Sequence, residues 1–228
     1  MTEDAFARRV TRLGALADPV RRRLYRYVAE QGDAVSRDQA ADGVELPRHT
    51  AKFHLERLVD EGLLVAEFRR LTGRSGPGAG RPAKLYRRSQ QEVAVSVPAR
   101  RYDLAGRLFA DALQRTLDGT PVADAVRDAV DHAARVVVAA YPANGRKPVR
   151  RLAQVLAELG YEPREEDESL ELGNCPFVRL VDEHQPLVCR LNREFVGAVA
   201  GDLACPSAVV STEPEGHGCC VRVEPSRS

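Results

Sequence analysis

The sequence has 228 residues, with 34 Lys and Arg against 33 Asp and Glu, and a net charge of +1 gives no overall pull toward nucleic acid. That average hides an asymmetry: residues 1–101 carry 20 basic and 13 acidic side chains and residues 102–228 carry 14 and 20, so only the first part suits DNA. At 43 % hydrophobic and 29 % charged, the chain is too apolar for general disorder and large enough for two cores, and collagen-like and coiled-coil compositions are excluded. No apolar run approaches the ~18 residues of a membrane-spanning helix. The densest aliphatic stretch is Val136 to Ala140, and the first ten residues mix Glu3 and Asp4 with Arg8 and Arg9 instead of opening a signal peptide. The expected location is the cytoplasm, with no membrane partner. There, five cysteines at 175, 189, 205, 219 and 220 argue for metal chemistry or a redox switch over a disulfide framework.

Asp18 before Pro19 is an N-cap and first helical residue, and Val20, Leu24, Tyr27 and Val28 follow at helical spacing until Gly32. Ser36 to Gln39 forms a capping box for a short helix ending at Gly43. The turn Val44 to Pro47 opens a third helix with Ala51, Leu55, Leu58 and Val59 inward, stopped by Gly62. Leu63 to Phe68 and Ala83 to Arg87 read as two strands. The glycine-rich stretch Gly73 to Gly80 between them is a loop that brings Arg74 and Arg81 to the hairpin.

Residues 89–101 read as a linker between a 1–88 domain and a 102–228 domain. The second domain starts with a helix from Asp103 to Leu117, whose broad apolar face of Leu104, Leu108, Phe109 and Leu113 is a candidate dimer contact. A helix capped by Thr120 and Pro121 runs to Pro142, and Pro148 and Gly160 bracket another. From Glu168 short strands alternate with helices of one to three turns, Leu191 to Val199 being the clearest.

Three closely joined helices followed by a basic hairpin place the third helix in the DNA major groove and the hairpin on the backbone or minor groove. The outward face of that helix carries Arg48, His49, Lys52, Phe53, Glu56 and Arg57. Arg48 suits a bidentate guanine contact, His49 and Lys52 reach base acceptors or phosphate, and the Thr50 hydroxyl suits a phosphate oxygen. Phe53 is expected to lie on the adjacent wing. On the hairpin, Arg69, Arg70, Arg74, Arg81 and Lys84 favour phosphate contact, with only Glu67 to offset them. A merely solvated basic face is the plainer alternative. Leu16 to Leu24, His49 to Leu64 and Gly80 to Tyr86 together resemble the winged helix-turn-helix of the arsenical-resistance repressor superfamily, over about the first 90 residues. The resemblance implies a DNA-binding regulator, and the small surface of one winged helix implies a homodimer on double-stranded operator DNA.

Cys175 lies in Gly173 to Phe177 and Cys189 in Leu187 to Asn192, both flanking short helices. Cys219 and Cys220 are expected to open a last strand, so alternation lets only one of them face the first two. Three thiolates from separate elements suit an iron–sulfur cluster or a soft metal. Buried apolar cysteines and a reversible thiol switch are the alternatives. Glu183, His184 and His217 are possible non-cysteine ligands. Asn174-Cys-Pro-Phe177 and Val188-Cys-Arg-Leu-Asn192, with a late cysteine, resemble the C-terminal domain of iron–sulfur-sensing repressors of cluster-biogenesis operons. That resemblance implies a cluster on Cys175, Cys189 and either Cys220 or Cys219, and gives Cys205 no role.

The expected architecture is α+β, an N-terminal winged helix-turn-helix followed by a C-terminal α/β sensor and dimerisation domain. The expected function is a sequence-specific transcriptional regulator, in the direction of a repressor, that senses an iron–sulfur cluster, a metal or redox state. The alternative keeps the DNA-binding half and gives the second half a pocket for an organic effector, with structural cysteines. An enzyme using Cys175 or Cys189 as nucleophile and His184 as base lacks any motif joining thiol, base and carboxylate, so no enzymatic activity is expected.

Overall fold

Phe6, Val10 and Leu13 recur at helical spacing, and the chain begins with α1 (Glu3–Gly14), a helix the sequence reading above did not anticipate. The computed structural model describes residues 3–70, 82–142, 147–166, 169–205, 207–211 and 219–225. The chain divides into two compact units after Val95.

In the first unit the Asp18 side chain accepts the Arg21 backbone N–H at 2.9 Å and Pro19 supplies a fixed φ, which together start α2 (Pro19–Glu30). After the two-residue strand β1 (Val35–Ser36), the Ser36–Gln39 capping box opens α3 (Arg37–Gly43). Glu45, at φ 54°, turns the chain toward α4 (Arg48–Asp60), and Arg23 of α2 donates to the Val44 carbonyl to hold that turn. Gly43 permits the close approach of α2, since a Cβ there would lie 2.1 Å from the Tyr27 ring. Leu24, Val28, Ala51, Leu55 and Leu58 close the core between these helices.

Gly62, at φ 67°, ends α4 in the left-handed conformation that glycine adopts without strain. Arg12 of α1 binds this turn, donating to the carbonyls of Glu61 at 2.6 Å and Gly62 at 2.8 Å. The wing follows as β2 (Leu64–Arg69) and β3 (Ala83–Arg88), antiparallel from Leu64 opposite Arg88 to Arg69 opposite Ala83. β1 pairs with the other edge of β3, giving the order β1-β3-β2.

The second unit comprises α5 (Tyr102–Leu117), α6 (Val122–Ala139), α7 (Pro148–Glu158), β4 (Pro163–Glu166), β5 (Ser169–Leu172), α8 (Val178–Asp202), β6 (Ser207–Ser211) and β7 (Val221–Pro225). The strands pair antiparallel in the order β4-β5-β7-β6, and α6 packs between α5 and α8. Leu152, Leu156, Tyr161, Leu170 and Phe195 are fully buried at the centre.

Two expectations change here. The stretch α8 is two helices that meet at a kink, with non-helical backbone at His184, and the second of them, which carries Cys189, is longer than the expected one to three turns. Pro186 stands in the first turn of the second helix, where a missing N–H costs nothing, and Val188, Leu191, Phe195 and Val199 bury the inward face of that helix. Cys219 and Cys220 stand just before β7 and outside it. Among the described residues no helix is long and apolar enough to cross a membrane.

The Arg21 N–H bond holds the Asp18 carboxyl below the ordinary aspartate range. Asp18→Ala is expected to cost about 1 kcal/mol of stability in urea titrations at pH 7. With the folded-state pKa below the unfolded one, this contribution is complete at neutral pH. It fades as the pH falls below about 3.9, so wild type and variant should converge in acid.

Candidate nucleic-acid interface and cysteine cluster

Ala51, Leu55 and Leu58 are fully buried and fix which face of α4 turns inward. Arg48, His49, Lys52, Phe53 and Arg57 are exposed on the rest of its surface, and Thr50 is half-buried in the first turn. Arg48 lies 3.6 Å from Asp38 of α3 and Arg57 lies 2.6 Å from Glu61. The Arg48 pair is exposed on both sides, so it is worth little in water and yields readily to a phosphate, whereas the Glu61 side chain beside Arg57 is only 12 % exposed. His49 and Lys52 form no side-chain hydrogen bond or ion pair among the described residues. Phe53 does not lie on the wing: its ring is 67 % exposed and meets His54 edge-on at 5.2 Å.

Lys84 also departs from expectation. Its Nζ donates to Glu56 Oε2 at 2.5 Å, while the Tyr86 hydroxyl donates to Glu56 Oε1 at 2.7 Å, so this lysine fastens β3 to α4. Burial pushes the Glu56 carboxyl up, but the bonds from Lys84 and Tyr86 outweigh it and hold the group below its ordinary value. Elsewhere on the wing Arg69 pairs with Asp33 at 2.8 Å and Arg87 with Glu67 at 3.3 Å. Arg74 and Arg81 lie outside the described residues.

In the second unit Cys175, Cys219 and Cys220 are buried and Cys189 is half-buried, all as free thiols. They form a run of side-chain contacts, Cys175 to Cys219 to Cys220 to Cys189. Both late cysteines therefore join the earlier two. The alternation argument failed because it applies to residues within a strand, and these precede β7. Hydrogen bonding from Cys219 lowers the pKa of Cys175 and of Cys220, with burial opposing it in both. Burial raises Cys189, and hydrogen bonding with Cys175 and with Cys220 raises Cys219, which keeps its single proton between them.

Sequence reasoning missed the polar support behind this run. The buried Asn192 amide donates to Cys219 Sγ at 3.1 Å, and its oxygen accepts from the Tyr161 hydroxyl at 2.6 Å. The available signal was spacing, because Asn192 follows Cys189 by about one helical turn and so shares its face. The donor chemistry suits soft metals and iron–sulfur clusters, while among the described residues no three or more His, Cys, Asp or Glu are grouped as a metal site.

Glu183 and His184 are exposed at the α8 kink, 4.0 Å from each other, and His217 lies outside the described residues. Cys205 is buried in the same core. The feature nearest to an effector pocket is an open cleft of about 510 Å³ between α6 and α8, lined by Val126, Arg127, Val130, Arg190 and Glu194.

Glu56→Ala leaves the Tyr86 hydroxyl without its acceptor at the seam between α4 and β3. A loss of about 1 to 3 kcal/mol is expected in chemical denaturation, against a smaller loss for Lys84→Ala, whose removal leaves the Tyr86 bond in place.

Residues 16–66 match the family model described as a helix-turn-helix domain, a span that takes in α2, α3, α4 and the start of β2. No curated protein and no solved structure matches the chain. The matched segment carries the exposed basic face of α4, and it supports a DNA-binding helix-turn-helix regulator of transcription.

Proposed function

We propose that the chain is a sequence-specific transcriptional repressor that binds double-stranded operator DNA as a homodimer and responds to the state of its four clustered thiols. The observation that carries this reading is the outward face of Arg48, His49 and Lys52 on the third helix of a matched helix-turn-helix domain. α4 enters the major groove, Arg48 and Lys52 read base edges or phosphate, His49 adds a base or phosphate contact, and Thr50 and Arg57 contact the backbone. Phe53 offers its exposed ring to a thymine methyl group. Arg74 and Arg81 are assigned to phosphates on their sequence position alone.

The homodimer is supported by α5, which leaves Phe109, Leu113 and Leu117 exposed at helical spacing, Leu117 by 74 %. An apolar stripe of that kind on a soluble chain is best covered by its own copy across a two-fold axis. That axis sets the half-site spacing.

The test begins with a duplex selected from a randomised library. Arg48→Ala and Lys52→Ala should each weaken its binding by about 1 to 3 kcal/mol while leaving circular dichroism unchanged. Undiminished affinity in both variants would remove α4 from recognition.

A second reading, in which the thiols hold an iron–sulfur cluster, is favoured by the convergence of four cysteines and requires them to part from one another. Bound iron and sulfide would be held by Cys175, Cys189, Cys219 and Cys220, and binding would be coupled to ordering of the loops that carry them. Iron and sulfide content after anaerobic reconstitution decides it. Serine at any of these four positions should reduce retention, and Cys205→Ser should not. An unmutated protein that takes up no cluster eliminates this reading and leaves thiol-state sensing.

A further inference from the structure

The stretch that leads out of the first unit enters the second at Ser96, and within a few residues it is fastened to the loop that carries Cys175. The Asn174 side chain, 5 % exposed, is committed entirely to that fastening. Its amide donates to the Ala99 carbonyl at 2.9 Å and the Gly160 carbonyl at 2.6 Å, and its oxygen accepts from Arg100 Nη1 at 2.5 Å. The same guanidinium reaches the Cys175 carbonyl at 3.4 Å, and the Arg101 N–H donates to the Pro176 carbonyl at 3.1 Å. Gly160, at φ 89°, lets the strap lie flat, since a Cβ there would meet Ala99 Cβ at 2.7 Å. Arg101 then caps α5, its carbonyl accepting from the Leu104 and Ala105 N–H groups.

The other side of this loop faces the thiols. Cys175 contacts Cys219 through sulfur and accepts the Phe177 N–H, and only 4 % of it is exposed. One short loop is thus gripped by the thiol run on one side and by residues 99–101 on the other. A closely filled interior transmits strain instead of absorbing it. A group added to sulfur therefore has to move the loop, and the loop is bonded to the strap.

We propose that Asn174 and Arg100 are positioning residues that couple the state of Cys175 to the segment joining the two units. This rests on the thiol-sensing reading above, and it names the route by which that site acts. The strap is held while Cys175 is a free thiol and is released when its sulfur is occupied.

The experiment uses the full-length protein and methyl methanethiosulfonate, which transfers a methylthio group to each thiol sulfur and releases methanesulfinic acid, the cap being removable with dithiothreitol. Two quantities are followed, hydrogen exchange of peptides covering residues 96–105 and affinity for the selected duplex. In the wild type, capping should speed exchange at Arg101 and Leu104 and shift Kd by about fivefold or more. In Asn174→Ala, exchange should be fast before capping and the Kd shift should fall below about twofold, with the same number of thiols capped. Arg100→Ala, whose side chain is only half-buried, gives the same comparison in a variant that leaves the loop interior filled. A wild type whose Kd ignores capping defeats the sensing reading itself, and this inference with it. A wild type that responds, with both variants responding equally, overturns the coupling role alone.

Discussion

The Glu56 carboxylate accepts from both Lys84 and Tyr86, and through these bonds α4 is tied to β3 without calling on its outward face. A recognition helix has to be rigid and yet keep its cations uncommitted. Here rigidity comes from behind, from Ala51, Leu55 and Leu58 in the core and from Glu56 at the seam. Arg12 adds a third hold by gripping the turn after α4. Apart from Arg57 beside the largely buried Glu61, the cations in front have an exposed pair or no hydrogen bond or close ion pair among the described residues, so exchanging them onto phosphate sacrifices little.

The second unit obeys a related constraint, that polar atoms taken out of water need partners. Among the described residues its buried polar side chains are Ser169, Asn174 and Asn192, and the two asparagines stand beside cysteines. Asn174 has its amide divided among Ala99, Gly160 and Arg100, and Asn192 between Cys219 and Tyr161, which fixes each amide's orientation and hence that of the group it supports. Asn192 can give its N–H to Cys219 because its oxygen is already occupied by Tyr161. Burial and the neighbouring thiols raise the Tyr161 hydroxyl well above its ordinary pKa, so it remains a neutral donor.

What was legible in the sequence was what is local. The Asp18 cap, the Ser36–Gln39 box and the apolar stripe of α4 all arise from residues within about two turns of each other, where spacing alone carries the physics. The basic face of α4 followed from the same stripe by subtraction. Misreadings occurred where a distant partner decides. Lys84 has the sequence of a phosphate contact, and its pairing with Glu56, 28 positions earlier, is not visible there. The four-thiol run required a loop, a helix and the entrance of a strand to meet, and no periodicity reports that. α1 was overlooked because its mixed charges mask a short stripe of Phe6, Val10 and Leu13.

The exposed ring of Phe53 has a spectroscopic consequence. The chain has no tryptophan, and its ultraviolet emission comes from six tyrosines, of which Tyr86 and Tyr161 are buried. An indole introduced by Phe53→Trp would therefore be the sole emitter at long wavelength, and it would sit on the face of α4 beside His49 and Lys52 with nothing from the described part of the wing across it. Such a site reports on its own solvent shell. A base stacked or pressed against it would dim and shift the signal, so one chromophore reports occupancy of the groove.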